Sequence, residues 1–204
     1  MLRGKNTYGL ILCGGQSTRM GVDKSLLAYH NIPQRYHLYE MMSGICDKTF
    51  ISCNLSQLKE MDEAYQAIVD LPGYSSIGPM GALLTAFSHF PQKDFLVLGC
   101  DYPFLTKDVL LDFSGSLNEK EVAAAFYKQK ERLYEPTLAW YSHQSVQGLM
   151  KMFNEKIYSL QYFLRSVGAH QYLPVDAKTT ISIDTRESAM ATIKMITNDE
   201  WIKA

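Results

Sequence analysis

The 204 residues carry 20 basic and 21 acidic side chains, a formal charge of −1, so no overall basic field argues for nucleic acid and any anion site must be local. Apolar residues make up 47% of the chain, ample for a core. No apolar run approaches the roughly 20 residues of a membrane helix.

The first eight residues hold no apolar signal core. Cys13, Cys46, Cys53 and Cys100 form neither a Cys-x-x-Cys pair nor zinc spacing with the five histidines. Free buried thiols in a reducing, cytoplasmic compartment are therefore expected.

In chain order, Tyr8–Cys13 reads as a short buried strand and 33–46 as a helix. Thr49–Cys53 reads as a second strand, followed by a helix over 56–65 capped by Ser56. Ala67–Val69 is a third strand ending at Asp70, and 79–90 a helix with Pro79 in its first turn. Phe95–Gly99 is a fourth strand ending at Asp101, and 106–113 a helix capped by Thr106. Strands over 122–126 and 137–141, helices near 143–153 and 158–167, a strand near 170–173 and a helix near 186–196 complete the pattern. No repeat or low-complexity linker interrupts it. Strand–helix alternation with continuously apolar strands predicts an α/β fold with a mostly parallel sheet covered on both faces. Ligands of such sheets sit beyond the carboxyl ends of the strands. That rule selects four separated places: 13–24, 53–54, Asp70 and Asp101.

The first of these is the most informative. An apolar run breaks into Gly14-Gly15, then Arg19, Gly21 and Lys24, before turning apolar again. Neither Gly-x-x-x-x-Gly-Lys-[Ser/Thr] nor Gly-x-Gly-x-x-Gly is present. Paired glycines still let backbone amides approach a phosphate, and Arg19 and Lys24 supply fixed positive charge. A tight strand-to-helix turn carrying two solvated bases would look the same if its residues were read one by one.

Read together, Leu12-Cys13-Gly14-Gly15-Gln16-Ser17-Thr18-Arg19-Met20-Gly21-Val22-Asp23-Lys24-Ser25-Leu26-Leu27 resembles the signature of the MobA-like nucleotidyltransferases, which include the molybdenum cofactor guanylyltransferases. Cys13 stands where that family usually has alanine. The double glycine is similar to the guanylyltransferase pattern, whereas cytidylyl and uridylyl relatives more often have Ala-Ala-Gly. Further segments resemble the family: Ile77-Gly78-Pro79-Met80-Gly81-Ala82-Leu83, Cys100-Asp101-Tyr102-Pro103-Phe104 and Glu135-Pro136. A family Asn-x-Asn corresponds to Ser52-Cys53-Asn54, with serine for the first asparagine. The C-terminal Asn-x-Asn-Thr-Pro-Glu corresponds to Ser182-Ile183-Asp184-Thr185-Arg186-Glu187, with both asparagines and the proline changed.

The resemblance implies a three-layer α/β/α sandwich of the nucleotide-diphospho-sugar transferase type. It implies one nucleotidyltransferase domain over 1–204, with a nucleotide half to about 105 and an acceptor half from about 106. The implied reaction moves GMP from GTP to the terminal phosphate of molybdopterin and releases pyrophosphate. Arg19, Lys24 and Asp101 are the implied catalytic residues. Leu12, Cys13, Gly14, Gly15, Lys24, Ser52, Asn54, Asp70, Gly78 and Asp101 are the implied nucleotide contacts, and Asp101 and Asp184 are the implied ligands of Mg²⁺. Proteins that make or insert the cofactor are the implied partners, with no role for nucleic acid or membrane.

Bland readings stand beside several of these. Asp70 suits a turn before Pro72-Gly73, Asp184 suits a helix cap, and Glu135-Pro136 suits an ordinary strand entry. Tyr36, Tyr39 and Trp140 suit either a pterin stack or plain packing. His30, His37 and His89 are expected on surfaces. Two rival functions share the pattern: a cytidylyl- or uridylyltransferase acting on a pterin or sugar phosphate, and a nucleotide-binding module without catalysis.

Overall fold

The computed structural model describes residues 6–13, 23–118 and 120–202, with side chains described as far as residue 198. Seven strands form one sheet: β1 (Thr7–Leu12), β2 (Thr49–Cys53), β3 (Ala67–Val69), β4 (Asp94–Gly99), β5 (Ala123–Lys128), β6 (Leu133–Tyr141) and β7 (His170–Tyr172). Their order is β3-β2-β1-β4-β6-β5-β7. Every pairing is parallel except those of β6, which runs antiparallel to both β4 and β5.

The helices are α1 (Gln34–Ser43), α2 (Leu55–Lys59), α3 (Pro79–His89), α4 (Lys107–Ser116), α5 (Ser145–Asn154), α6 (Leu160–Ser166) and α7 (Arg186–Ile202). All six β1 residues are buried, which is why the strand is apolar throughout and shows no polar alternation. The pleat sends Leu10 and Leu12 to one face, where they join Leu83 and Phe87 of α3, Leu149 of α5 and Phe163 of α6. It sends Ile11 and Cys13 to the other, with Leu38 and Met42 of α1 and Leu110 and Phe113 of α4. Two helical layers thus enclose the sheet, as expected from the sequence. A third small cluster, Tyr29, Ile183, Ala189 and Ile196, docks the C-terminal segment against the residues that follow Lys24.

Three expectations need correction. The helix after β2 is capped by Asn54, not Ser56: Asn54 Oδ1 accepts the Gln57 N–H at 2.9 Å, and Gln57 Oε1 accepts the Asn54 N–H at 3.0 Å. This reciprocal box satisfies two otherwise orphaned donors, an advantage Ser56 lacks. The same helix ends at Lys59 rather than Tyr65, because it buries no residue and packing does not extend it. The sixth strand begins at Leu133, not near 137, and includes Pro136. Proline lacks the ladder donor, and the β5–β6 register shifts between Ala125 and Tyr127 to accommodate the segment.

Candidate functional site

The carboxyl ends of β1, β2 and β3 open into a cleft of about 820 Å³. Leu12, Ser52, Asn54, Asp70 and Gly78 line it, five of the residues selected from the sequence. Parallel register explains the gathering: Leu12 lies opposite Ser52, and Ser52 opposite Ile68, two residues before Asp70. Gly78 caps α3 at φ +70°, a conformation glycine adopts without steric penalty, and Pro79 starts the helix with a preset φ. Across the cleft the Leu71 N–H donates to Thr85 Oγ1 of α3 at 3.0 Å, which fixes the turn after Asp70. Burial lifts the Asp70 carboxyl above the usual carboxylate range, opposed by the Ser52 hydroxyl, which donates to it at 3.2 Å.

A charged network stands beside this cleft, at the end of β4. The Ser182 hydroxyl donates to Asp101 Oδ2 at 2.8 Å and also lies 3.2 Å from Asp184 Oδ2. Lys24 Nζ pairs with Asp184 Oδ1 at 2.6 Å. The Ile183 N–H donates to the Asp101 carbonyl at 2.8 Å, so the C-terminal segment is pinned to the strand end by main chain as well as side chain. Burial raises the Asp101 carboxyl above its ordinary range. The Ser182 hydrogen bond, its own backbone N–H and the Lys24 charge hold it down, and Asp184 pushes it up. Asp23 caps the short 3₁₀ segment Lys24–Leu26 by accepting the Ser25 N–H at 2.9 Å, which aims Lys24 at Asp184.

Gly99 makes room for this carboxylate: a Cβ there would stand 2.6 Å from Asp101 Oδ1. On the far side of Asp101, Tyr102 Oη donates to Glu135 Oε2 at 2.5 Å and lies 3.2 Å from Thr137 Oγ1, while Lys128 pairs with Glu135. The irregular stretch of β6 thus presents Glu135 and Thr137 to the end of β4, as bulges beside active sites commonly do.

Several sequence readings fall elsewhere. Gly14, Gly15 and Arg19 lie outside the described residues. The Cys13 side chain packs on the α1 face, its Sγ 3.6 Å from that of Cys100, and both thiols are buried and free. Cys13 N–H donates to Ser52 O at 3.0 Å, and its carbonyl accepts from Gln57 Nε2 at 3.1 Å. Tyr36 stacks on Tyr65 with centroids 4.1 Å apart, Tyr39 meets Tyr65 edge-on, and Trp140 is 5% exposed in the core, so all three are packing residues. His30 and His37 are partly exposed, in the loop before α1 and on α1, and His89 is exposed at the end of α3; the rings of the first two stack at 4.1 Å, and burial together with His30 pushes His37 down to about 4. Gln57 and Ser182 are the contributors that reading residue by residue does not isolate. The Asn54-x-x-Gln57 spacing is the visible signal for the first; the second is marked by its place in the segment that resembles the C-terminal motif, though not as a partner of Asp101.

Magnesium takes one or two carboxylates and completes its shell with water and phosphate oxygens. Asp101 and Asp184, joined through Ser182, fit that demand. Among the described residues no group of three or more His, Cys, Asp or Glu side chains is placed to hold a metal by protein ligands alone. No helix among them is long and apolar enough to cross a membrane.

The profile of the MobA-like NTP transferase domain matches residues 9–171. A molybdenum cofactor biosynthesis bifunctional protein of Synechocystis is 28% identical over 148 residues; the match covers 72% of this chain but 42% of that protein's length. A probable molybdenum cofactor guanylyltransferase of Flavobacterium johnsoniae is 25% identical over 180 residues, with 88% of this chain and 90% of the relative covered. Among solved structures, molybdopterin-guanine dinucleotide biosynthesis protein A of Archaeoglobus fulgidus superimposes with a TM-score of 0.76 at 18% identity, covering 94% of this chain and 99% of that one. A 4-diphosphocytidyl-2C-methyl-D-erythritol synthase of Anaerococcus prevotii gives 0.71 at 11% identity, covering 96% and 98%, so the fold outlasts the sequence. With most of its length matched by one profile, and with the sheet and strand-end cleft that its sequence predicts, the chain belongs to the MobA-like NTP transferase family.

Proposed function

We propose that the chain is a single nucleotidyltransferase domain that transfers GMP from GTP to the terminal phosphate of molybdopterin, with pyrophosphate as the leaving group. The observation that carries this reading is the adjacency of the cleft at β1–β3 to the Asp101–Ser182–Asp184–Lys24 network at β4. Relatives named as guanylyltransferases support the choice of substrates.

An acceptor phosphate is already ionised near neutral pH, so the reaction needs no general base. It needs alignment and charge neutralisation. In this reading Leu12, Ser52, Asn54, Asp70 and Gly78 receive the nucleoside in the cleft. Cys13, Gly14 and Gly15 bring backbone close to the nucleotide, and Arg19 and Lys24 neutralise the triphosphate and the departing pyrophosphate. Asp101, with Asp184, would hold Mg²⁺. When bound, that ion would polarise the α-phosphate and offset the charge building on the leaving group. The Lys24–Asp184 pair keeps both groups oriented, and Ser182 keeps the Asp101 carboxylate turned toward them. The molybdopterin would approach from the acceptor half, past Tyr102 and Glu135. The four free, buried thiols suit a cytoplasmic enzyme, and proteins that make or insert the cofactor would be its partners.

The test is pyrophosphate release by the purified chain with Mg²⁺. GTP, CTP, ATP and UTP are offered in turn, each with and without molybdopterin. Release with GTP and molybdopterin together is the expected result. Release with CTP or UTP instead would reassign the nucleotide. Tight GTP binding with no release for any pair would replace the enzyme by a binding module.

A further inference from the structure

Gln57 uses every polar group it has. Its Oε1 accepts the Asn54 N–H and its own N–H donates to Asn54 Oδ1, which closes the capping box of α2. The two protons on Nε2 go elsewhere: to Cys13 O at 3.1 Å and to Asp23 Oδ2 at 2.7 Å. These two acceptors flank residues 14–22, one at the end of β1 and the other at the cap of the segment that carries Lys24.

A capping box is served equally by glutamine and glutamate at this position. Only the amide can also donate, so the cap does not account for the choice of side chain. Packing does not account for it either, since α2 buries none of its residues. The helix is held over the strand ends by these polar contacts.

We infer that Gln57 is a positioning residue for nucleotidyl transfer: it ties Cys13 at the end of β1 to Asp23, the cap of the segment that carries Lys24, and so sets where Lys24 meets Asp184. This rests on the reading given under Proposed function.

Three variants test it: Gln57→Glu, Gln57→Met, and Asp23→Asn combined with Gln57→Glu. Gln57→Glu keeps the capping acceptor but loses both donors and sets a carboxylate against Asp23. In the double variant the amide introduced at 23 donates to the carboxylate introduced at 57, and its oxygen still accepts the Ser25 N–H.

Amide hydrogen exchange of peptides covering 13–24 is followed in the ligand-free protein. Exchange about tenfold faster is expected in Gln57→Glu and Gln57→Met, with the part owed to the Asp23 contact recovered in the double variant and the part owed to Cys13 O not. GTP affinity, titrated with Mg²⁺ present, should fall by a similar factor in the single variants and recover in parallel, while thermal melts of Gln57→Glu stay close to wild type.

Unchanged exchange in Gln57→Glu overturns the clamp. Faster exchange confined to peptides covering 54–60, with 13–24 unchanged, also overturns it, because the loss would then lie in α2 alone. A wild-type chain that binds none of the four triphosphates sinks the nucleotidyl-transfer reading, and the exchange arm still decides the clamp by itself.

Discussion

Asp70 and Asp101 are both aspartates at the ends of parallel strands, both just beyond an apolar run, and both raised by burial. Their surroundings differ. Among the described residues, Asp70 takes a hydrogen bond from the Ser52 hydroxyl in the wall of an open cleft. Asp101 sits under Ser182, its own backbone, the Lys24 charge and the opposing Asp184. The same residue at the same kind of position therefore meets two different fields. Asp70 faces burial opposed by the Ser52 hydroxyl, whereas Asp101 faces burial together with charges of both signs. In the proposed function the first belongs to the nucleoside wall and the second to the metal and phosphates.

The largest effect should come from the charged end. Lys24→Ala and Asp101→Asn should each lower turnover about 10²-fold or more, read as pyrophosphate release. Asp101→Asn should also melt higher than wild type near neutral pH. The sign follows from its raised folded pKa: the fold favours the neutral carboxyl, so that group's contribution to stability is full in acid and lost as pH rises through the folded pKa. The melting advantage of Asp101→Asn should therefore shrink as pH is lowered. A variant that melts lower at neutral pH would break the comparison.

Gly99→Ala should follow in size. The added methyl would crowd Asp101 Oδ1 and the Thr137 side chain, displacing the carboxylate while leaving β4 paired. Turnover should fall roughly tenfold to a hundredfold with an unaltered circular dichroism spectrum. Asp70→Asn should act on binding rather than on chemistry: a KM for the triphosphate raised by about tenfold or less, kcat nearly spared, and a melt raised with the same pH trend as Asp101→Asn. If Asp70→Asn lowers kcat as far as Asp101→Asn does, the division of labour is wrong. Ser52→Ala should be smallest, about 0.5–1.5 kcal/mol of stability for one lost hydrogen bond, with the Asp70 carboxyl pushed further up.

The alternation of strands and helices, the parallel core and the four strand-end places were legible because they rest on local rules: continuous apolar runs, helix caps, and glycine before proline. The boundaries that failed did so where a non-local term took over. The cap at Asn54 is the exception: it rests on the local Asn54-x-x-Gln57 box, a signal that is present in the sequence but that the expectation of a Ser56 cap passes over. Strand β6 ran past Pro136 because the irregular pairing with β5 tolerates a residue without an amide. The stacking of His30 on His37 was not legible either, because nothing in their spacing signals that the rings meet.

By itself the sequence determined the fold class and pointed to Leu12, Ser52, Asn54, Asp70 and Asp101, which the structure places at the carboxyl ends of the strands. Hydrophobic period, turn chemistry and a motif of unusual density are all properties of neighbours along the chain. Only the tertiary structure decided that Asp184 neutralises Lys24, that Ser182 turns Asp101, and that a glutamine on a five-residue helix ties Cys13 to Asp23. Those contacts join residues 34 to 160 positions apart, and hydrogen bonds are satisfied by whatever the fold brings within about 3 Å, whatever the distance along the chain.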